Sequence, residues 1–532
     1  MKSWATAAAA LALALLSFFQ FPGHTYLQQD SQIYVPILEH LRDPSVLRND
    51  ILVEQPHVAF TVYDEAARLL RGATGLGFGT VLEFQQIVTR ALGIWGLFLM
   101  ASALRLPCWA SVMVGAIVAL GARILGPEVL TWEYEPTPRA FAVPLLLCGV
   151  GLAANRRYLA AGMAGAAAFL YHPPTAVPFW LVFGVILVFR KKAAGVAPLA
   201  AAAAVLVAAA ALQAGGLAAS AEAQNFFGKL TPSQTHLQQI RTAYVWISLW
   251  PGGLILHYLI LSAILLAAFV CIRREIPVEL RIILLGLPAL GLASMALSWL
   301  LLERWRWAIV PEIQPMRALL FVALAMQFVT AAAAVLAVQK HRSWEALGWF
   351  AAAYLLPVHS VITRAVPLRE VALVAALSAV TVLAARFDWR CGTAAALAAF
   401  FAIPLLGGVV NYPRLHTPEL AQLSQWSRNS TPPDAVFLFP DAGHALFPGI
   451  FRSEALRAVY VDWKAGGQVN YLPAFGEQWW FRWQQTMADS FHPEDLAKYS
   501  GLGVRYVVLH TRAQLSRAPV FENSVYAVYE LP

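Results

Sequence analysis

The chain has four cysteines in 532 residues, and where they stand excludes more than their number does. Cys108, Cys148, Cys271 and Cys391 all fall in or beside long apolar runs. The polar segments therefore carry no disulfide framework and no thiolate metal site. Charge is also scarce, with 13% Asp, Glu, Lys and Arg against 59% apolar residues. There is no Walker sequence and no GxGxxG opening a helix, so direct use of a nucleotide cofactor has no support. Nor is there an internal repeat. The alanine runs at 161–168, 199–211 and 331–334 need no chemistry, because small residues let membrane helices pack closely.

Apolar length is abundant, and mean hydropathy is +0.60. A helix needs about 20 apolar residues to cross roughly 30 Å of hydrocarbon. The stretches that suit are 4–22, 84–104, 107–126, 140–154, 157–171, 174–189, 193–217, 247–271, 280–302, 317–338, 344–360, 368–386 and 392–410. They predict a polytopic α-helical membrane protein with about 13 transmembrane helices.

Lys and Arg are retained in cytoplasmic turns. With a cytoplasmic N-terminus, the inner turns hold fourteen of them and the short outer loops eight. The formal charge of +8 is then mostly a topology signal and does not point to nucleic acid. The first run leads into Phe21-Pro22 without a clear small-x-small cleavage site, so an uncleaved anchor is expected. An odd number of crossings leaves 23–83 and 411–532 outside the cytoplasm.

Two domains follow: a transmembrane domain over 1–410 with a long first outer loop, 23–83, and an extracytoplasmic α/β domain over 411–532. In the latter, "AVFLFP" (435–440), "RAVYVD" (457–462), "VRYVVLH" (504–510) and "VYAVYEL" (525–531) are predicted strands. "TPELAQLSQWSRNS" and "PEDLAKYS" are predicted helices, each with Pro in the first turn.

The outer segments collect the ionisable side chains. Asp30 stands at the membrane boundary beside Tyr26 and Tyr34, a place suited to partial desolvation and base chemistry. Asp50 and Glu54 are further catalytic candidates in the same segment. In "WEYEPTPR", Glu133 and Glu135 form an ExE pair that either ligates a divalent cation such as Mg²⁺ or Mn²⁺ through oxygens or pairs with Arg139. The broken helix end in "YHPPT" leaves His172 either to bind phosphate or sugar hydroxyls or to serve the structure. In "LLERWRWAIVPEIQPMR", Arg304 is either an interfacial anchor or a ligand contact, and Glu312 and Arg317 follow. Arg317 enters an apolar helix, and such a residue generally faces the bundle interior. His359 stands in the last outer turn. The aromatic stretch Trp463–Trp483 either stacks on a glycan or forms a core.

These features resemble the GT-C superfamily of membrane glycosyltransferases: an early Asp in the first outer loop, an acidic pair after the third helix, an acid and Arg between the ninth and tenth, and a soluble tail. The layout is most similar to the oligosaccharyltransferase catalytic subunits. "DSQIYVPILEHLRDPSVLRND", "TPRAFAVPLLL", "YHPPT" and "VYVDWK" look like a group of uncharacterised bacterial membrane proteins related to that superfamily.

The resemblance implies a polyprenyl-phosphate-type sugar donor, surrounding membrane lipids and a bacterial cytoplasmic (inner) membrane location. It makes Asp30 the base, puts Glu133 and Glu135 where relatives hold a metal or second acid, sets Glu312 near the acceptor and gives Arg317 the carrier phosphate. Two departures stand out: ExE replaces DxD, and "EQWWFRW" is not a WWDYG-type signature. A transporter or flippase for a lipid-linked or anionic substrate, or a non-catalytic membrane scaffold, are the alternatives.

Overall fold

A computed structural model describes residues 3–54, 61–217, 228–406, 415–511, 515 and 517–532. Eight helices among them are long and apolar enough to cross a membrane. Four more apolar helices, Trp4–Phe19, Cys108–Ala119, Pro138–Ala154 and Tyr158–Tyr171, are shorter. The 12 residues of Cys108–Ala119 span only about 18 Å at 1.5 Å per residue. The chain is a multi-pass membrane protein.

Helix Leu320–Gln339 is the hub, buried from Leu320 to Val338. Around it, helices approach through small residues. A Cβ on Gly96 would lie 2.3 Å from Leu147 O, and one on Gly151 would lie 2.3 Å from Gly96 O. No other residue type lets Phe78–Ala103 and Pro138–Ala154 come so close. This contact fixes the helix pair that carries Arg90 and Arg139.

Helix starts follow local chemistry. Thr137 precedes Pro138, and His172 precedes Pro173, placing Pro at the first helical position, where its missing N–H costs nothing. β1 (Arg123–Ile124) and β2 (Val129–Leu130) pair as a short antiparallel hairpin.

Beyond residue 415 the chain builds a mixed sheet from β3 (Val436–Leu438), β4 (Ala458–Val459), β5 (Tyr506–His510), β6 (Phe521–Glu522) and β7 (Tyr526–Glu530), in the order β4-β3-β5-β7-β6. β3 runs parallel to β4 and β5, whereas β7 runs antiparallel to β5 and β6. Helices Pro418–Ser430, Phe447–Ala455 and Pro473–Thr486 accompany it. The hydropathy pattern predicts four of the strands; two-residue β6 is too short to show.

The apolar side chains separate into a membrane core and a second core. The second joins Leu27, Ile33, Leu38, Leu47 and Ile51 from the segment after the first helix to Phe437, Phe451, Val459 and Val507 from the sheet unit. In packing, residues 27–53 belong with the C-terminal unit.

Candidate active site

A cavity of about 740 Å³ lies where helix ends of the bundle meet the C-terminal unit. Asp30, Arg139, His172 and Arg317 line it together with Lys464, Gln468 and Tyr471 of the C-terminal unit.

Asp30 is the N-cap of helix Ser31–Arg42, yet its side chain makes no capping bond. Its Oδ1 instead accepts from Lys464 Nζ at 2.6 Å. The carboxyl lies deep in the protein but faces the cavity, leaving the side chain 40% accessible. Burial pushes its pKa up, but the Lys464 charge and hydrogen bond, with Arg139 and Arg317, outweigh this and hold it well below the usual carboxylate range. The turn before it is held tightly. Leu27 has φ 55°, a left-handed conformation uncommon for a non-glycine residue. Its N–H donates to Ser31 Oγ at 2.7 Å, and its carbonyl accepts from Gln32 Nε2 at 2.7 Å.

The two ExE carboxylates have separate work. Glu135 accepts the backbone N–H groups of Gln28, Gln29 and Ser31 at 2.6, 2.8 and 2.9 Å, so it clamps the turn that presents Asp30. Burial and the Asp30 charge raise its pKa against those hydrogen bonds. Glu133 accepts from Arg139 Nε at 2.7 Å and from Leu130 N at 3.0 Å. Glu135 spends both oxygens on N–H donors and Glu133 spends Oε1, which leaves Glu133 Oε2 as a lone carboxylate oxygen, too few for a cation site. Among the described residues no three His, Cys, Asp or Glu side chains gather as a metal requires. The donor set does not fit Mg²⁺ or Mn²⁺.

Arg317 lines the cavity with no ion pair among the described residues. Its buried Nε has no hydrogen-bond partner, and its guanidinium lies 5.9 Å from the Tyr244 ring. A guanidinium in that condition suits an anion supplied from outside the chain. His172 Nδ1 accepts from Thr175 N at 3.2 Å, so its neutral ring carries the proton on Nε2. Burial, then the Arg139 and Arg317 charges, keep it neutral by lowering its pKa well below the ordinary value. Tyr34 and Tyr471 stay phenols; burial raises both, Tyr471 to about 12.

Other candidates lie elsewhere. Asp50 is fully buried, accepting from Arg452 Nε at 2.6 Å and Val459 N at 2.9 Å. Its oxygens tie the segment after the first helix to the C-terminal unit and do not meet the cavity. The Glu54 side chain falls outside the described residues. Arg304 is exposed, 5.8 Å from the Trp299 ring, which suits the interfacial anchor. Glu312, half-buried on Ile309–Ile313, does not line the cavity. His359 Nδ1 lies 2.7 Å from Glu370 Oε2, and of these two only Glu370 lines the cavity. Trp479 and Trp483 are 0% and 5% exposed, so much of the aromatic stretch is core; glycan stacking by these two rings is corrected on that ground.

Three contributors carry no local signal. Lys464 stands two residues past Asp462 in "VDWK". Arg241 donates to the carbonyls of Trp463 and Lys464 at 3.0 and 3.4 Å, with its guanidinium 4.8 Å from the Trp463 ring. Arg90 is buried and donates to Gly23 O at 3.1 Å and Glu133 O at 2.9 Å, which joins the segment after the first helix to the acidic turn.

Residues 418–486 match a family described as Domain of unknown function (DUF6798). No curated protein matches the chain by sequence. Among solved structures, the chain is similar to apo ArnT from Cupriavidus metallidurans, at 13% identity over 99% of this chain and 97% of that one, with a TM-score of 0.46. It is also similar to the arabinofuranosyltransferase AftD from Mycobacteria, at 15% identity over 96% of this chain and a TM-score of 0.42. It covers 35% of that longer chain.

Proposed function

We propose that this protein is a glycosyltransferase that moves a sugar from a polyprenyl-phosphate-type donor to an acceptor hydroxyl at the outer face of a bacterial cytoplasmic membrane. In this reading the chain crosses thirteen times, and both 23–83 and 411–532 lie outside the cytoplasm. The observation that carries it is Arg317, an unpaired guanidinium in the same cavity as an ionised, accessible Asp30.

The chemistry needs opposite charges at two points. As the bond from sugar C1 to the phosphate oxygen breaks, its electron pair leaves with the phosphate, and negative charge grows there. Arg317 and the Nε2–H of His172 suit that charge. The acceptor oxygen forms the new bond to C1 and gives its proton to Asp30.

Lys464 regulates the base in this scheme. A donor phosphate beside Lys464 would draw the ammonium from Asp30. Burial then raises the carboxyl pKa toward the range in which it takes a proton. Glu135, Glu133 and Arg139 act as positioning residues.

Transport is less well served. Helix Leu320–Gln339 is apolar and enclosed along its length, whereas the ionisable groups of the cavity gather at one end of the bundle.

The test is sugar transfer by purified full-length protein from a panel of polyprenyl-phosphate sugars, wild type against Asp30→Asn. Transfer lost in the variant is expected. Equal transfer by both would remove Asp30 from the reaction, and no transfer or donor hydrolysis by folded wild type with any donor would overturn the proposal.

A further inference from the structure

We propose that a second pocket, at the opposite end of the same helices, binds the phosphate of an anionic phospholipid headgroup. The inference does not depend on the glycosyltransferase reading.

The pocket has a volume of about 480 Å³, with Arg156, Tyr158, Leu159, Arg190 and Lys192 in its lining. Its place follows from helix length. Pro173–Arg190 has 18 residues, about 27 Å at 1.5 Å per residue, close to the thickness of the hydrocarbon layer. His172, before its first residue, lines the first cavity, and Arg190, its last, lines the second. The two pockets therefore open at opposite membrane faces.

Charge in the second pocket is unbalanced. Glu279, fully buried, forms ion pairs with Arg190 at 2.7 Å and Arg156 at 3.3 Å and accepts a hydrogen bond from the Tyr158 hydroxyl at 2.9 Å. One carboxylate thus faces two guanidinium groups, and Lys192 adds a third cation with no ion pair among the described residues. Arg190 Nε is buried without a hydrogen-bond partner. The Glu279 contacts hold both arginines in place while leaving positive charge for an anion, and guanidinium suits phosphate oxygens.

The surroundings select a lipid as the source of that phosphate. Leu159, Val188 and Phe189 beside the pocket are 54%, 80% and 64% exposed, an apolar surface suited to acyl chains. Basic pockets between helix ends on the cytoplasmic side suit anionic headgroups, and the Lys and Arg distribution puts this face there.

Native mass spectrometry of the purified full chain tests the proposal with phosphatidylglycerol and phosphatidylethanolamine of matched acyl chains. Wild type should retain phosphatidylglycerol in preference, by roughly fivefold or more for each cation engaged. The double variant Arg156→Gln, Lys192→Gln should approach parity; it leaves the Arg190–Glu279 pair intact. Arg273→Gln with Arg274→Gln, exposed and outside this pocket, should keep the preference. Equal retention of both lipids by wild type would overturn the assignment, as would an unchanged preference in the pocket variant or an equal loss in the control. Displacement of the lipid by millimolar inorganic phosphate would also overturn it, by making the pocket a soluble-anion site. Should the pocket variant fail to fold, the wild-type lipid preference and phosphate competition still decide.

Discussion

Asp30 and Asp50 occupy one segment, and each meets a cation from the C-terminal unit at 2.6 Å. The Asp50–Arg452 pair is sealed, with side chains 0% and 1% exposed, and Asp462 supplies a second carboxylate. In the Asp30–Lys464 pair the carboxylate is 40% exposed, on a cavity, and its partner is a flexible ammonium. Pairing alone therefore does not mark a reactive group. A sealed pair can only hold parts together, whereas an accessible one can exchange its partner for a substrate.

The sharpest break between the two pairs would come from Asp30→Asn, which should cut transfer by about 10²–10⁴-fold, the usual worth of a positioned base, at a smaller loss of stability than breaking the sealed pair. A loss of stability as large as that of the sealed pair, with transfer kept, would make the two pairs alike. Arg452→Leu should do the reverse by stranding buried Asp50 and Asp462, at a cost of about 3–5 kcal/mol. Denaturant unfolding and proteolytic release of the C-terminal unit would measure it. Arg317→Gln should raise KM for the donor by roughly tenfold with a smaller effect on kcat; unchanged KM would end its phosphate role.

A subtler contrast concerns pH. Asp30 has a lowered folded pKa, so its contribution to stability is present above the ordinary carboxylate range and is lost as pH falls through the folded value. Lys464→Met removes the main lowering influence. The acid limb of kcat/KM should then move to higher pH, and acid should cost the variant less stability than it costs wild type. The smallest expected effect is none: a chelator should leave transfer unchanged, because both Glu135 oxygens and Glu133 Oε1 are already engaged. Loss restored by Mg²⁺ or Mn²⁺ would overturn that account.

Some of this was legible from residue type and place. Asp30, Arg139, His172 and Arg317 each stand at a helix end bordering apolar sequence, where an ionisable group gains from facing a polar cavity. Glu135 is visible as an acid, but its three N–H partners arise only once residues 27–31 take their turn. Asp50 has the residue type and neighbourhood of Asp30, and only the packing of Arg452 over it separates the two. Lys464 leaves no trace near Asp30 in the sequence. The aromatic stretch misleads because buried and sugar-binding tryptophans share one composition.

The distance along the chain between Asp30 and Lys464 also has a meaning in time. They are 434 residues apart, which at about 5–20 residues per second of synthesis separates their appearance by roughly 20–90 s. The bundle helices run on to Leu406, so only at the close of that interval does a newborn bundle display its carboxylate with no ammonium to hold it. A segment made after the helices supplies the ammonium, so a ribosome that stops between the two releases a bundle whose chemistry is unfinished.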